Sequence, residues 1–351
     1  MGNINVERFR EMYETSEDYK EVRENPKMKN IHLLCLSGSH AYGTAREDSD
    51  VDFRAVVGLD KARALGAMSD WGTTDFKSTD TSIYSYKKFL QLMAKGNPST
   101  ICLLGNNIDD YIYLSPEGKE LVTNYHGLIP ANPVYDSFVG YSNGMLKRLE
   151  LAELGRLDEY GDTIGNVILD NKKIEILNNN VKLFHNRYKS LKHEDDICAE
   201  FEIDEDVVYV KNFSVKDISM VDFFDMVRDL KNISSSFGSK GKRNRKKSDF
   251  KLNKHCMHLV RGLLMGNELL ETGKIVTYRK NDLELLHDIL NGKFMGSNGK
   301  MRGEFYEMVD ELKVKADYAL KHTVLPQEVD EKKLEYFYEI FLKSAIKRRK
   351  E

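Results

Sequence analysis

Residues 36–52 read LSGSHAYGTAREDSDVD, and this stretch decides both the fold and the chemistry expected of the chain. The apolar residues Ile31, Leu33, Leu34 and Leu36 run into it and stop abruptly at Gly38–Ser39. That pattern predicts a buried strand over Ile31–Ser37, a small-residue turn, and a partner strand over Val51–Val57. Residues two apart on an extended strand point to the same side, so Asp50 and Asp52 are expected to present their carboxylates together while Val51 and Phe53 face the core. Like charges at that spacing repel, and one group's pKa rises unless a cation lies between them. Hard oxygen ligands beside a phosphate-bearing substrate suit Mg2+, with Mn2+ as the alternative. Gly38 and Ser39, ending a strand and opening a short helix, offer backbone N–H groups and a hydroxyl to phosphate oxygens. A phosphate cradle beside two carboxylates is the layout that metal-assisted nucleotidyl or phosphoryl transfer needs. A solvated turn with a helix cap would use the same residue types, and short motifs of this kind recur by chance.

The run GSHAYGTAREDSDVDFRAVV resembles the GS…DxD signature of the DNA polymerase beta-like nucleotidyltransferase superfamily. Together with KKFLQLMAKGNPS (87–99) and KHCMHLVRGLLMGNELLETGKI (254–275), it is similar more narrowly to RNA-repair-pathway nucleotidyltransferases. The resemblance implies a third carboxylate on a neighbouring strand and assigns it to Asp80, at the start of the strand-like DTSIYSY (80–86), with Asp75 as the competing residue. It further implies catalytic and metal-binding roles for Asp50, Asp52 and Asp80, which would hold two Mg2+ ions, and nucleotide binding by Gly38, Ser39, Thr44 and Arg261. The expected reaction is transfer of a nucleoside monophosphate from an NTP to a hydroxyl, with an RNA end as acceptor. Protein or small-molecule acceptors, or a catalytically idle nucleotide-binding module, are the alternatives. Arg46 or Lys88 would neutralise developing charge.

At 351 residues the chain reads as two domains. The expected class is α+β: a small mixed sheet with flanking helices over 1–128, then a mainly helical bundle over 129–351. Helical spacing marks Val134–Leu154, Lys172–Leu191, Asp217–Phe237, Leu252–Thr272, Asn281–Leu290, Glu304–Lys321 and Glu331–Arg348, with a hairpin-like interruption within Glu194–Val210. His258 and Arg261 fall three apart on one of these helices and share a face.

The net charge of −3 excludes a whole-molecule attraction to nucleic acid. Such contact would have to come from a local patch, and SKGKRNRKK (239–247) is the most basic short stretch. The four cysteines are scattered without CxxC pairing, which argues against zinc and for a reducing compartment. Nothing approaches membrane-spanning length, and Met1–Arg23 is too charged for a signal peptide, so a cytoplasmic location is expected.

Overall fold

The computed structural model describes residues 4–154, 178–179, 182, 184, 197–204, 207–215, 217–231 and 248–347. The chain is α+β, with a mixed five-stranded sheet and flanking helices in its N-terminal region and a helical C-terminal region. Strands β1 (Ile31–Ser37), β2 (Asp52–Val57), β3 (Thr73–Phe76), β4 (Thr81–Ser85) and β5 (Tyr111–Leu114) lie in the order β3-β4-β2-β1-β5. All pairings are antiparallel except β2 with β4.

Both faces of the central strands are buried, which is why β1 reads as a nearly continuous apolar run instead of an alternation. Leu34 and Leu36 meet Phe53, Ala55 and the N-terminal Phe9, Tyr13 and Tyr19 on one side. Leu33 and Cys35 meet Phe89, Leu121 and the distant Phe337 and Phe341 on the other. Arg10 covers the edge of the sheet: its Nε donates to the Ile112 carbonyl at 3.2 Å, blunting the free side of β5.

The helix Tyr86–Ala94 stops at Gly96, and a new turn opens at Pro98, where the Asn97 side chain accepts the Thr100 N–H. Gly96 is required here. Its φ is +69°, and a Cβ would sit 2.4 Å from the backbone of Pro133. Ser115 caps the helix Pro116–Asn124 by accepting the Gly118 N–H.

By packing, the chain forms two compact units, each discontinuous in sequence. One comprises Met1–Asn143, Met257–Asn291 and Gly303–Glu351; the other comprises Gly144–Cys256 and Gly292–Arg302. The packing units thus divide the chain differently from a single cut at residue 128. In the first unit, the segment after the helix Asp249–Thr272 is stitched to the sheet region by backbone bonds. The N–H of Thr277 donates to Gly105 O at 3.0 Å and that of Arg279 to Tyr42 O at 3.2 Å. Arg279, buried and paired with Glu268 and Asp282, locks that segment. The second unit contains an antiparallel hairpin of β6 (Ile197–Asp204) and β7 (Val207–Val215), in line with the interruption expected within 194–210, and a helix over 220–231. The expected helix Lys172–Leu191, apart from four residues, and the basic stretch Ser239–Lys247 lie outside the described residues.

Candidate active site

Strand β1 ends at Ser37, directly opposite Asp52 at the start of β2. Gly38 follows with φ +59°, opening the five-residue helix Gly38–Tyr42, which closes on Gly43 at φ +81°. A Cβ placed on Gly38 would stand 1.8 Å from Asp52 Oδ2. Glycine is therefore needed twice over, for the left-handed backbone and for the carboxylate seated against the turn.

The register of β2 and β4 brings in Asp80. These strands run parallel with Arg54 opposite Ser82, so the residues two positions earlier, Asp52 and Asp80, meet where the two strands begin. Asp80 sits in the turn between β3 and β4 with φ +43°, a left-handed conformation that Asp tolerates better than most residues. It is held there by Arg54, whose Nη1 donates to the Asp80 carbonyl and whose Nη2 lies 3.4 Å from its carboxylate. Burial, then hydrogen bonding to Asp80 and its charge, push the Asp52 carboxyl up from 3.8 to about 6, against the opposing pull of Arg54. Asp50 adds to that push from the exposed segment before β2. It lies two residues before the first residue of β2.

Among the described residues, no group of three or more His, Cys, Asp or Glu side chains is arranged to hold a metal ion. Two carboxylates are nevertheless in contact. The Asp52 carboxyl is raised by burial and by Asp80 beside it, so the Asp52–Asp80 pair fits a divalent ion, and Asp50 would have to close in to become a third ligand.

The other expected residues are distributed unevenly. Ser39 is half-buried at the turn, whereas Thr44 is buried, with its N–H on Ser39 O at 2.9 Å and its hydroxyl unpartnered. Arg261 stacks on Tyr42 of the same turn, its Cζ 3.5 Å from the ring centroid, and its buried Nη1 has no hydrogen-bond partner. Burial raises the Tyr42 hydroxyl and the Arg261 charge opposes that rise. Asp75 accepts from Ser82 Oγ at 2.6 Å across the β3–β4 pair. Lys88 lies against Gly72 beyond the far end of β4, and Arg46 turns toward Asp48 at 3.8 Å.

Arg54 is the cation that sequence reasoning missed. Its signal was present: it stands two residues after Asp52 and so shares that residue's strand face. His40 was also passed over; its Nε2 lies 3.3 Å from Ser49 O, tying the turn to the segment that carries Asp50.

No curated protein and no solved structure matches the chain. The model of one family matches over residues 7–154, which span the turn, the carboxylates and the whole five-stranded sheet. That family is the RNA repair pathway DNA polymerase beta family (RlaP), and over this stretch the chain is similar to these polymerase beta-like nucleotidyltransferases.

Proposed function

We propose that the chain transfers a nucleoside monophosphate from an NTP to a hydroxyl at an RNA end, inside the cell. The observation that carries this reading is the Asp52 carboxylate, seated on Gly38 and against Asp80. Asp50, Asp52 and Asp80 would hold two Mg2+ ions, or Mn2+. When bound, these ions supply charge neutralisation on the triphosphate and a lowered pKa for the acceptor hydroxyl. The backbone N–H groups of Gly38 and Ser39, with the Ser39 hydroxyl, bind phosphate oxygens. Thr44 shapes that turn from within through its bond to Ser39. Arg261 offers its unpartnered Nη1 from a position fixed by Tyr42, and Arg54 holds the Asp80 backbone in place. The acceptor oxygen forms a bond to the α-phosphorus, the bond to the bridging oxygen breaks, and pyrophosphate leaves. The basic stretch Ser239–Lys247 provides further contact with the RNA backbone.

The test uses NTPs labelled at the α-phosphate, supplied with RNA, with total protein, or without an acceptor. Label on RNA that disappears in Asp52→Asn supports the proposal. Label on protein, or binding without turnover, overturns the RNA reading.

A further inference from the structure

At its far end, about 17 Å along β2 from Asp52, the sheet runs into Gly58, Leu59 and Asp60 and the short helix Lys61–Ala64. A cavity of about 1120 Å³ opens there, with Lys27, Lys29, Asn30, Lys61, Arg63 and Trp71 on its walls. Among the described residues, Arg63 alone of its four cations is paired with a carboxylate, Asp60 at 2.6 Å, and Asp60 lines the same cavity. Lys29, in the 3-10 turn Pro26–Asn30, and Lys61, at the start of the helix Lys61–Ala64, are exposed. The Lys27 ammonium lies 4.5 Å from the Trp71 ring centroid and donates to Thr74 Oγ1 at 2.6 Å. Asn30 Oδ1 is buried on this wall without a hydrogen-bond partner.

We infer that this cavity binds a length of single-stranded nucleic acid, the body of the acceptor whose end reaches Asp52. The inference rests on the RNA reading given above. Cations on two short helical turns beside an aromatic ring suit a phosphate backbone with a base at the indole, the combination by which single strands are held. The volume is slightly above that of the usual small-ligand site, about 300–1000 Å³.

Trp71 is the sole tryptophan of the chain, so its fluorescence reports this cavity without any turnover. The full chain is titrated with an eight-nucleotide oligouridylate in chelator, without NTP, at several salt concentrations. A saturable change in emission is expected, weakening with salt. Each phosphate contact to a single strand contributes roughly 0.7 to the log–log salt slope. Lys29→Gln/Lys61→Gln should therefore flatten that slope by about 1.4 and weaken binding about 25-fold at 0.1 M salt. Unchanged affinity and slope in the double variant would overturn the site. So would UTP, at matched phosphate concentration, changing the emission as strongly as the oligomer. Transfer to RNA that continues in the double variant with unaltered KM removes this inference alone. Oligomer binding here with label going only to protein removes the RNA-end reading instead.

Discussion

Substituting Gly38 by alanine separates the two demands placed on that residue. An alanine at φ +59° carries a left-handed backbone penalty of about 1–2 kcal/mol. Its Cβ also lands 1.8 Å from Asp52 Oδ2, so the carboxylate must leave its seat, at a further cost of about 1–3 kcal/mol for forced repacking. In an Asp52→Ala background the clashing Oδ2 and Cγ are gone and the nearest remaining atom, the Cβ at position 52, is 3.4 Å away, which is tolerable. Only the backbone penalty then survives. A double-mutant cycle by chemical denaturation should therefore give a coupling of at least about 1 kcal/mol between positions 38 and 52, well above the additivity expected of independent sites. Transfer should fall far more than stability, because the displaced group is the one proposed to act. Equal costs of Gly38→Ala in both backgrounds would refute the argument that the glycine exists to admit the carboxylate.

Arg54→Met should destabilise the fold by about 1.5–3 kcal/mol through loss of charged hydrogen bonds to the Asp80 turn. Urea denaturation checks this, and a loss under 0.5 kcal/mol would contradict it. Gly96→Ala should cost at least about 2 kcal/mol, since its Cβ meets immovable Pro133 backbone, yet leave divalent-ion affinity intact; a change in that affinity in folded protein would count against a purely structural role. In chelator, the Asp52 carboxyl binds its proton up to about pH 6 in the folded chain but only to about 3.8 when unfolded. The folded state thus holds more protons over that window, and its stability falls as pH rises through it. After allowing for the solvent that still reaches this group, the effect is about 1 kcal/mol. Melting of the wild type against Asp52→Asn should show the variant gaining relative stability from pH 4 to 7, and a constant difference would contradict the close carboxylate pair.

Much of the sheet was legible because its strands carry strong local signals. Ile31–Ser37 is apolar on both faces and ends on Gly-Ser, and its bounds coincide with β1. Thr73–Phe76 was not legible: four residues at a sheet edge, with only Phe76 buried, leave no periodicity to read. Its absence from the sequence reading placed Asp80 at the head of a strand, whereas the β3–β4 pairing puts it in a left-handed turn. The proximity of Asp80 to Asp52 depends on a parallel register set by residues further along both strands, which no short motif records. Arg261 was placed on the correct helix, but helical spacing says which residues share a face and not which ring that face meets. The same limit hid the discontinuous packing. Phe337 and Phe341 are amphipathic-helix residues from sequence alone, and only tertiary structure shows that they share a core with Leu33 and Phe89.

The central claim, that Asp52 and Asp80 form a carboxylate pair completed by a divalent cation, is tested most directly by Mn2+ binding followed by electron paramagnetic resonance. The wild-type chain should take up Mn2+ with an affinity that rises when NTP is added, and both Asp52→Asn and Asp80→Asn should lose at least tenfold in affinity while remaining folded. Undiminished Mn2+ binding in either folded variant would contradict the account.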